Sequence, residues 1–169
     1  MRRVTLGALA VATALVGAAA AVPASARAPE PWLEAPSPLD IAALFDAPES
    51  EWGPGHRGLD LWLPEGSPVR SPGDGIVTFA GPVAGRGIVV VLHASGLRST
   101  LEPLRQEVAV GDSIAKGETV GTLELSGSHC AARACLHWGV RTGDEYLDPL
   151  DVLAGCGPIR LLPLRGGDD

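Results

Sequence analysis

Lysine is almost missing from this chain. Among 169 residues there is one, Lys116, and there are only three cysteines. The 13 basic residues are outnumbered by 20 acidic ones, for a formal net charge of -7. Two of the basic residues, Arg2 and Arg3, fall within the first 26 residues, which hold no acid, so the remainder is more acidic still. Phosphate binding needs clustered Lys and Arg, so nucleic acid is not expected as a partner. Three cysteines are too few for a disulfide scaffold. Long helical patterns are lacking too, because 22 glycines and 15 prolines interrupt the chain and both residue types end helices. Apolar residues nevertheless persist through the second half, which argues against disorder.

The first 26 residues do contain an address. A basic start, Met1-Arg2-Arg3, precedes an apolar run from Val4 to Val22, and Ala24-Ser25-Ala26 supplies small residues behind it. This is the pattern of a secretory signal peptide, with cleavage expected after Ala26. No cysteine follows the run, so no lipid anchor is expected, and the mature chain is read as secreted, extracellular and free of a membrane anchor. Residues 27–51 carry Pro29, Pro31, Pro36, Pro38 and Pro48. They read as a proline-rich linker with one short helical turn at 39–45.

From Trp52 onward, short apolar runs alternate with Gly, Pro and Asp turns. The runs at 58–63, 75–80, 87–92, 97–101, 119–125 and 136–142 have the length and β-branched content of strands. The expected fold is all-β, an antiparallel sandwich, spanning 52–153, with a closing turn at 150–153 and a mobile tail at 154–169. A weak internal repeat supports this. Gly66-Ser67-Pro68-Val69, then Gly73-Asp74-Gly75-Ile76-Val77, is echoed by Gly111-Asp112-Ser113-Ile114, then Gly117-Glu118-Thr119-Val120-Gly121. The spacing resembles the barrel-sandwich hybrid of lipoyl and biotinyl carriers and of certain cell-wall peptidases. The carrier reading is disfavoured, since Lys116 lacks the Met-Lys context of biotinyl carriers and the chain is read as exported.

Two clusters carry chemistry. His56-Arg57-Gly58-Leu59-Asp60 places an imidazole and a carboxylate four residues apart, on one face of an extended segment. Leu59, Leu61 and Leu63 then face the other way. In Cys135-Leu136-His137-Trp138-Gly139-Val140-Arg141, the residues Cys135, His137 and Gly139 share one face and Leu136, Trp138 and Val140 the other. His56, Asp60 and His137 together make a two-histidine, one-carboxylate set, the composition of a catalytic-type zinc site with one open position.

With these residues in place, the stretch 52–153 resembles the lysostaphin-type zinc metallopeptidases, which cut peptide bonds in bacterial peptidoglycan. The matching pieces are His56 and Asp60, the 66–77 segment, the 87–93 strand, the 110–121 repeat, Leu136-His137 and the Asp148-Pro149-Leu150 ending. The resemblance implies Zn2+ held by His56, Asp60 and His137, and peptidoglycan stem peptides as partners. It also exposes two departures. The family's His-x-His pair has an acid/base histidine first, where this chain has Cys135. Its Tyr-x-His-Leu segment supplies a second catalytic histidine, where this chain has Pro103 in Leu101-Glu102-Pro103-Leu104. Each positioned acid/base typically contributes ~10²–10⁴-fold in rate. Glu102 and His129 are the candidate replacement groups. The resulting readings are a peptidoglycan endopeptidase with a degenerate site, or a non-catalytic module that binds the wall or activates a separate cell-wall hydrolase. The negative charge offers no attraction to an anionic wall, so binding would come from groove contacts.

The remaining residues have plainer readings. Cys135 is open to two: a fourth zinc ligand by its register with His137, or half of a bridge with Cys130. An oxidising compartment favours the Cys130–Cys135 disulfide, which would stiffen the loop over the metal. Cys156 is then the odd cysteine, in the tail. Trp138 belongs to the core. Trp62 and Arg141 are candidates for the substrate groove, as is Trp52, although a core position is the default for tryptophan. His93 ends an apolar strand and at most supports the metal ligands from behind. The address can be tested by intact mass. Protein recovered from the culture medium of an expressing bacterial host should begin at Arg27, and full-length chain retained in the membrane fraction would contradict that reading.

Overall fold

The structure is a computed structural model and describes residues 32–50, 52–130 and 133–154. The expected signal peptide, most of the tail and Cys156 lie outside the described residues. Eleven strands form among them: β1 (Ile41–Ala43), β2 (Leu59–Trp62), β3 (Pro68–Arg70), β4 (Gly75–Val83), β5 (Arg86–His93) and β6 (Leu97–Glu102). Then come β7 (Leu104–Gln106), β8 (Ser113–Ile114), β9 (Thr119–Leu123), β10 (Cys135–Thr142) and β11 (Glu145–Leu147), before a 3-10 turn at Pro149–Val152. The fold is all-β and antiparallel, as the turn-punctuated apolar runs led one to expect. No helix among the described residues is long and apolar enough to cross a membrane.

Two sheets enclose the core. The larger runs β1-β2-β10-β6-β5-β4-β8, with β11 also paired to β10; the smaller runs β3-β9-β7. Strand β10 is the hub. Its first residues pair with β2, its last with β11, and β6 lies along its other side. Alternation does the rest. Leu59, Leu61, Leu136, Trp138, Val140, Leu101, Val89 and Val91 all point inward and are fully buried, against Val69, Val120 and Leu123 of the small sheet. Each such Val or Leu contributes ~1.5–3 kcal/mol by leaving water. The opposite face of β2, β10 and β6 is thereby left to Asp60, His137 and Glu102.

The internal repeat proves structural. Strand β3 of the first half pairs with β9 of the second, and β4 of the first pairs with β8 of the second. Each half therefore completes the other. The equivalent residues Val69 and Ile114 both enter the core, whereas Val120 enters it and its equivalent Ile76 does not, Val77 taking that place in the first half. One close approach demands glycine: a Cβ on Gly87 would fall 1.8 Å from the Leu104 carbonyl oxygen, where β5 passes β7.

Residues 32–50 correct the linker expectation. Leu33 is 1% exposed, its amide donates to Val152 at 2.8 Å, and its carbonyl accepts from Ala154 at 2.7 Å. Arg70 donates to Pro36 O at 3.0 Å. The helical turn expected at 39–45 is replaced by β1, which pairs with β2. Proline-fixed extended backbone is compatible with a sheet edge as well as with a free linker. Composition reports its stiffness and not its docking.

His93 was expected at most behind the metal ligands. Instead it faces the core at the end of β5. Its Nδ1 donates to Asp74 O at 3.0 Å, its Nε2 accepts from Ser99 Oγ at 2.8 Å, and Trp138 Nε1 donates to the same hydroxyl at 3.4 Å. The chain of bonds suits a neutral imidazole. Burial lowers the His93 pKa below its ordinary 6.5, against the opposing pull of the Asp74 carbonyl and charge. The unfolded chain therefore takes up a proton at a higher pH than the folded one. The stabilisation is fully present above pH 6.5 and is lost as pH falls through the folded pKa. Denaturant titrations should show wild-type stability dropping below pH 6.5 more steeply than in a His93→Gln variant; parallel pH profiles would contradict this.

Candidate metal centre

Strand register builds the site. Asp60 on β2 and Glu102 on β6 flank His137 of β10 as its direct cross-strand partners, so all three side chains leave the same face of the sheet. His56 arrives from the segment before β2, where it bridges to Asp46. Gly58 lets it come close: a Cβ there would lie 2.7 Å from the His137 ring and 2.6 Å from the Trp138 carbonyl oxygen.

The three expected ligands converge. Asp60 Oδ1 lies 3.0 Å from His56 Nε2 and 2.8 Å from His137 Nδ1, and the two ring nitrogens are 3.1 Å apart. Only 3% of the Asp60 side chain is exposed. Burial by itself raises its pKa, but hydrogen bonds to His137 and His129, and their charges, outweigh burial and hold the carboxyl below its ordinary value. It is thus a carboxylate at neutral pH.

The donor set fits zinc. His56 Nδ1 lies 2.6 Å from Leu44 O. A carbonyl can only accept, so Nδ1 carries a proton and Nε2 is the nitrogen that faces Asp60 Oδ1. Two imidazole nitrogens and a carboxylate oxygen thus converge on one point. That composition suits a divalent cation, and fixing the tautomer of a ligating histidine through a backbone carbonyl is the usual outer support of a metal site. Leu44 belongs to the segment expected to be a linker. No side-chain pattern could have announced this contact, because the backbone makes it.

His129 joins the cluster. Its Nε2 lies 2.6 Å from the other Asp60 oxygen, Oδ2, and one ligand atom from each of His56, Asp60, His129 and His137 falls within 4.8 Å of the others. Glu102, the other candidate replacement, is engaged elsewhere. Its Oε2 accepts from Arg86 Nε at 2.9 Å, and it makes no hydrogen bond to the cluster among the described contacts. Cys135 is bridged to Cys130, which decides between its two readings: the thiol is consumed. Pro103 sits between β6 and β7 after a cis peptide bond and offers no titratable group.

The two groove candidates part company. Trp62 lines a cavity with Leu63, Pro64 and Leu125, and the Arg133 guanidinium lies 4.3 Å from the centre of its ring. Arg141 lines a different cavity, with Arg57, Trp52 and Tyr146. Trp52 is 87% exposed, so the core reading fails for it.

Comparison with known proteins now settles the family. The profile of peptidase family M23 matches residues 54–149, more than half of the chain. The chain belongs to peptidase family M23. An uncharacterised protein of Mycobacterium tuberculosis is 42% identical over 137 residues, which cover 79% of this chain and 54% of that protein. A DD-carboxypeptidase/endopeptidase of Neisseria meningitidis is 30% identical over 98 residues, covering 57% of this chain and 22% of its own length. The chain thus spans about half the length, or less, of these curated relatives. The solution structure of lysostaphin, a peptidase of Staphylococcus simulans, superposes with a TM-score of 0.61 at 20% identity, covering 79% of this chain and 61% of that one. That likeness establishes the fold. M23 peptidases are zinc-dependent, and the M23 domain here carries a fitting donor set.

Metal binding to the folded state alone stabilises it by mass action, by ~2.7 kcal/mol at a hundredfold excess over Kd. Adding zinc should therefore raise the melting temperature of the wild-type chain. Asp60→Asn and His137→Ala should abolish that rise, and an equal rise in either variant would contradict the assignment.

Proposed function

We propose that this chain is a secreted cell-wall protein whose M23 domain binds Zn2+ through His56, Asp60 and His137 and acts on the peptide cross-links of peptidoglycan with a degenerate catalytic site. The convergence of two imidazole nitrogens on one buried carboxylate oxygen carries the reading. When bound, zinc supplies a Lewis acid that polarises a carbonyl and lowers the pKa of water.

The chain's own residues define what remains. His56 is held in its metal-ready tautomer by Leu44. Asp60 stays ionised and shares its two oxygens between separate partners. The two family positions for proton transfer hold Pro103 and a disulfide-bonded Cys135, and neither can exchange a proton. His129 is the histidine that stands at the cluster outside the ligand trio, and in this reading its Nε2, bonded here to Asp60 Oδ2, takes the proton-transfer role on leaving that oxygen. Glu102, the other candidate, is paired with Arg86 beside His137.

The disulfide at Cys135 also favours a second reading, a non-catalytic module that binds peptidoglycan or activates a separate cell-wall hydrolase. Incubation of the mature chain with peptidoglycan separates the two. The enzyme reading expects muropeptide release that a chelator stops and zinc restores. His129→Ala should then slow release by ~10²–10⁴-fold, the worth of one positioned acid/base. Stoichiometric zinc without chelator-sensitive release would establish the non-catalytic reading instead.

A further inference from the structure

The His129 side chain is 52% exposed, yet it holds the second oxygen of an aspartate that is 3% exposed. An exposed side chain fixed in one place loses rotamer freedom, so its backbone must be held. The neighbours of His129 do this. Cys130 follows it directly and is bonded to Cys135. Ser128 precedes it, and its Oγ accepts from the Cys130 amide at 3.4 Å and the Cys135 amide at 3.2 Å while lying 3.5 Å from Cys135 Sγ. Cys135 opens β10 two residues before His137, on the same face, paired with Trp62 as His137 is paired with Asp60. The element that carries His129 is therefore fastened covalently to the strand that carries a metal ligand. Cys130 Sγ itself lies 3.8 Å from Asp60 Oδ2.

We infer that the Cys130–Cys135 bridge is the positioning device for His129, and that through His129 it sets how tightly the centre holds a divalent metal. The inference rests on the reading of His56, Asp60 and His137 as zinc ligands. Asp60 turns Oδ1 toward those histidines and Oδ2 toward His129. A carboxylate fixed at one oxygen presents the other in a set direction, whereas a carboxylate free to rotate must be ordered when the metal arrives. Outer partners of this kind are typically worth ~10–100-fold in metal affinity. His129 and the two cysteines thus form one unit, distinct from the ligands themselves.

The test is a cycle of variants read by zinc affinity, through competition with a chromophoric chelator, so that no turnover is needed. Four forms of the mature chain are compared: wild type, His129→Ala, the pair Cys130→Ala with Cys135→Ala, and all three together. His129→Ala and the cysteine pair should each lower affinity by ~10–100-fold. Their combination should be no weaker than His129→Ala alone, because the bridge acts through that side chain. His129→Gln, whose amide still donates to Oδ2, should recover part of the loss. Near-ultraviolet circular dichroism of buried Trp138 checks the fold. Should the alanine pair unfold, Cys130→Ala with Cys135→Ser keeps a hydroxyl beside Ser128 and carries the same expectation. A folded cysteine pair with unchanged affinity, or losses that add in the combination, would overturn the inference and leave the zinc centre standing. A folded wild-type chain that binds no zinc would overturn both.

Discussion

A buried carboxylate with three imidazoles around it is the interaction on which the rest of the site depends. Asp60 is nearly removed from solvent, and burial alone would favour its neutral form. Hydrogen bonds and charge from His137 and His129 reverse that preference. An ionised group so placed is costly unless it is paired. His56 Nε2 adds to the constraint, since the bond to Leu44 turns it toward the same oxygen. The family's zinc dependence and this donor set together support the proposal that the cluster holds a divalent cation.

The architecture serves that carboxylate. Strand β10 lies between β2 and β6, so the register that buries Leu59, Leu61, Leu136 and Trp138 on one face also lines up Asp60, His137 and Glu102 on the other. Shifting β10 by one residue against β2 would turn His137 into the core and Trp138 out of it. The hydrophobic core thus fixes the register of Asp60 and His137. Gly58 then lets the His137 ring pack against the neighbouring backbone, and the segment around Leu44 closes over His56.

Much of this was legible in the chain itself. Alternation around Leu59–Leu61 and Leu136–Val140 gave both the strands and the face on which the ligands lie. The repeat of Pro68-Val69 and Ser113-Ile114 supported an all-β fold, while the reciprocal pairing of β3 with β9 and β4 with β8 came from the structure alone. The docking of residues 32–50 was not legible, because prolines report extended backbone and not what it packs against. The Leu44 contact was hidden for a related reason: every residue has a carbonyl, so nothing in the residue type marks it. The roles of Glu102 and His129 were undecided in sequence because both lie near the site in chain order. In the structure Glu102 pairs with Arg86, sixteen residues away, and His129 meets Asp60 beside the Cys130–Cys135 bridge.

On the proposed reading, this M23 domain keeps its ligands while its proton-transfer positions change. Pro103 and Cys135 stand where the resemblance led one to expect the two catalytic histidines. One lies at the crossing from β6 to β7, and the other anchors the loop that delivers His129. X-ray absorption at the zinc edge, on the zinc-loaded mature chain, addresses the central claim most directly. The account predicts two histidine ligands at ~2.0–2.1 Å, one carboxylate oxygen and no sulfur, with a spectrum that His129→Ala leaves unchanged in its imidazole count. A third histidine that disappears in His129→Ala, or a sulfur ligand, would contradict it.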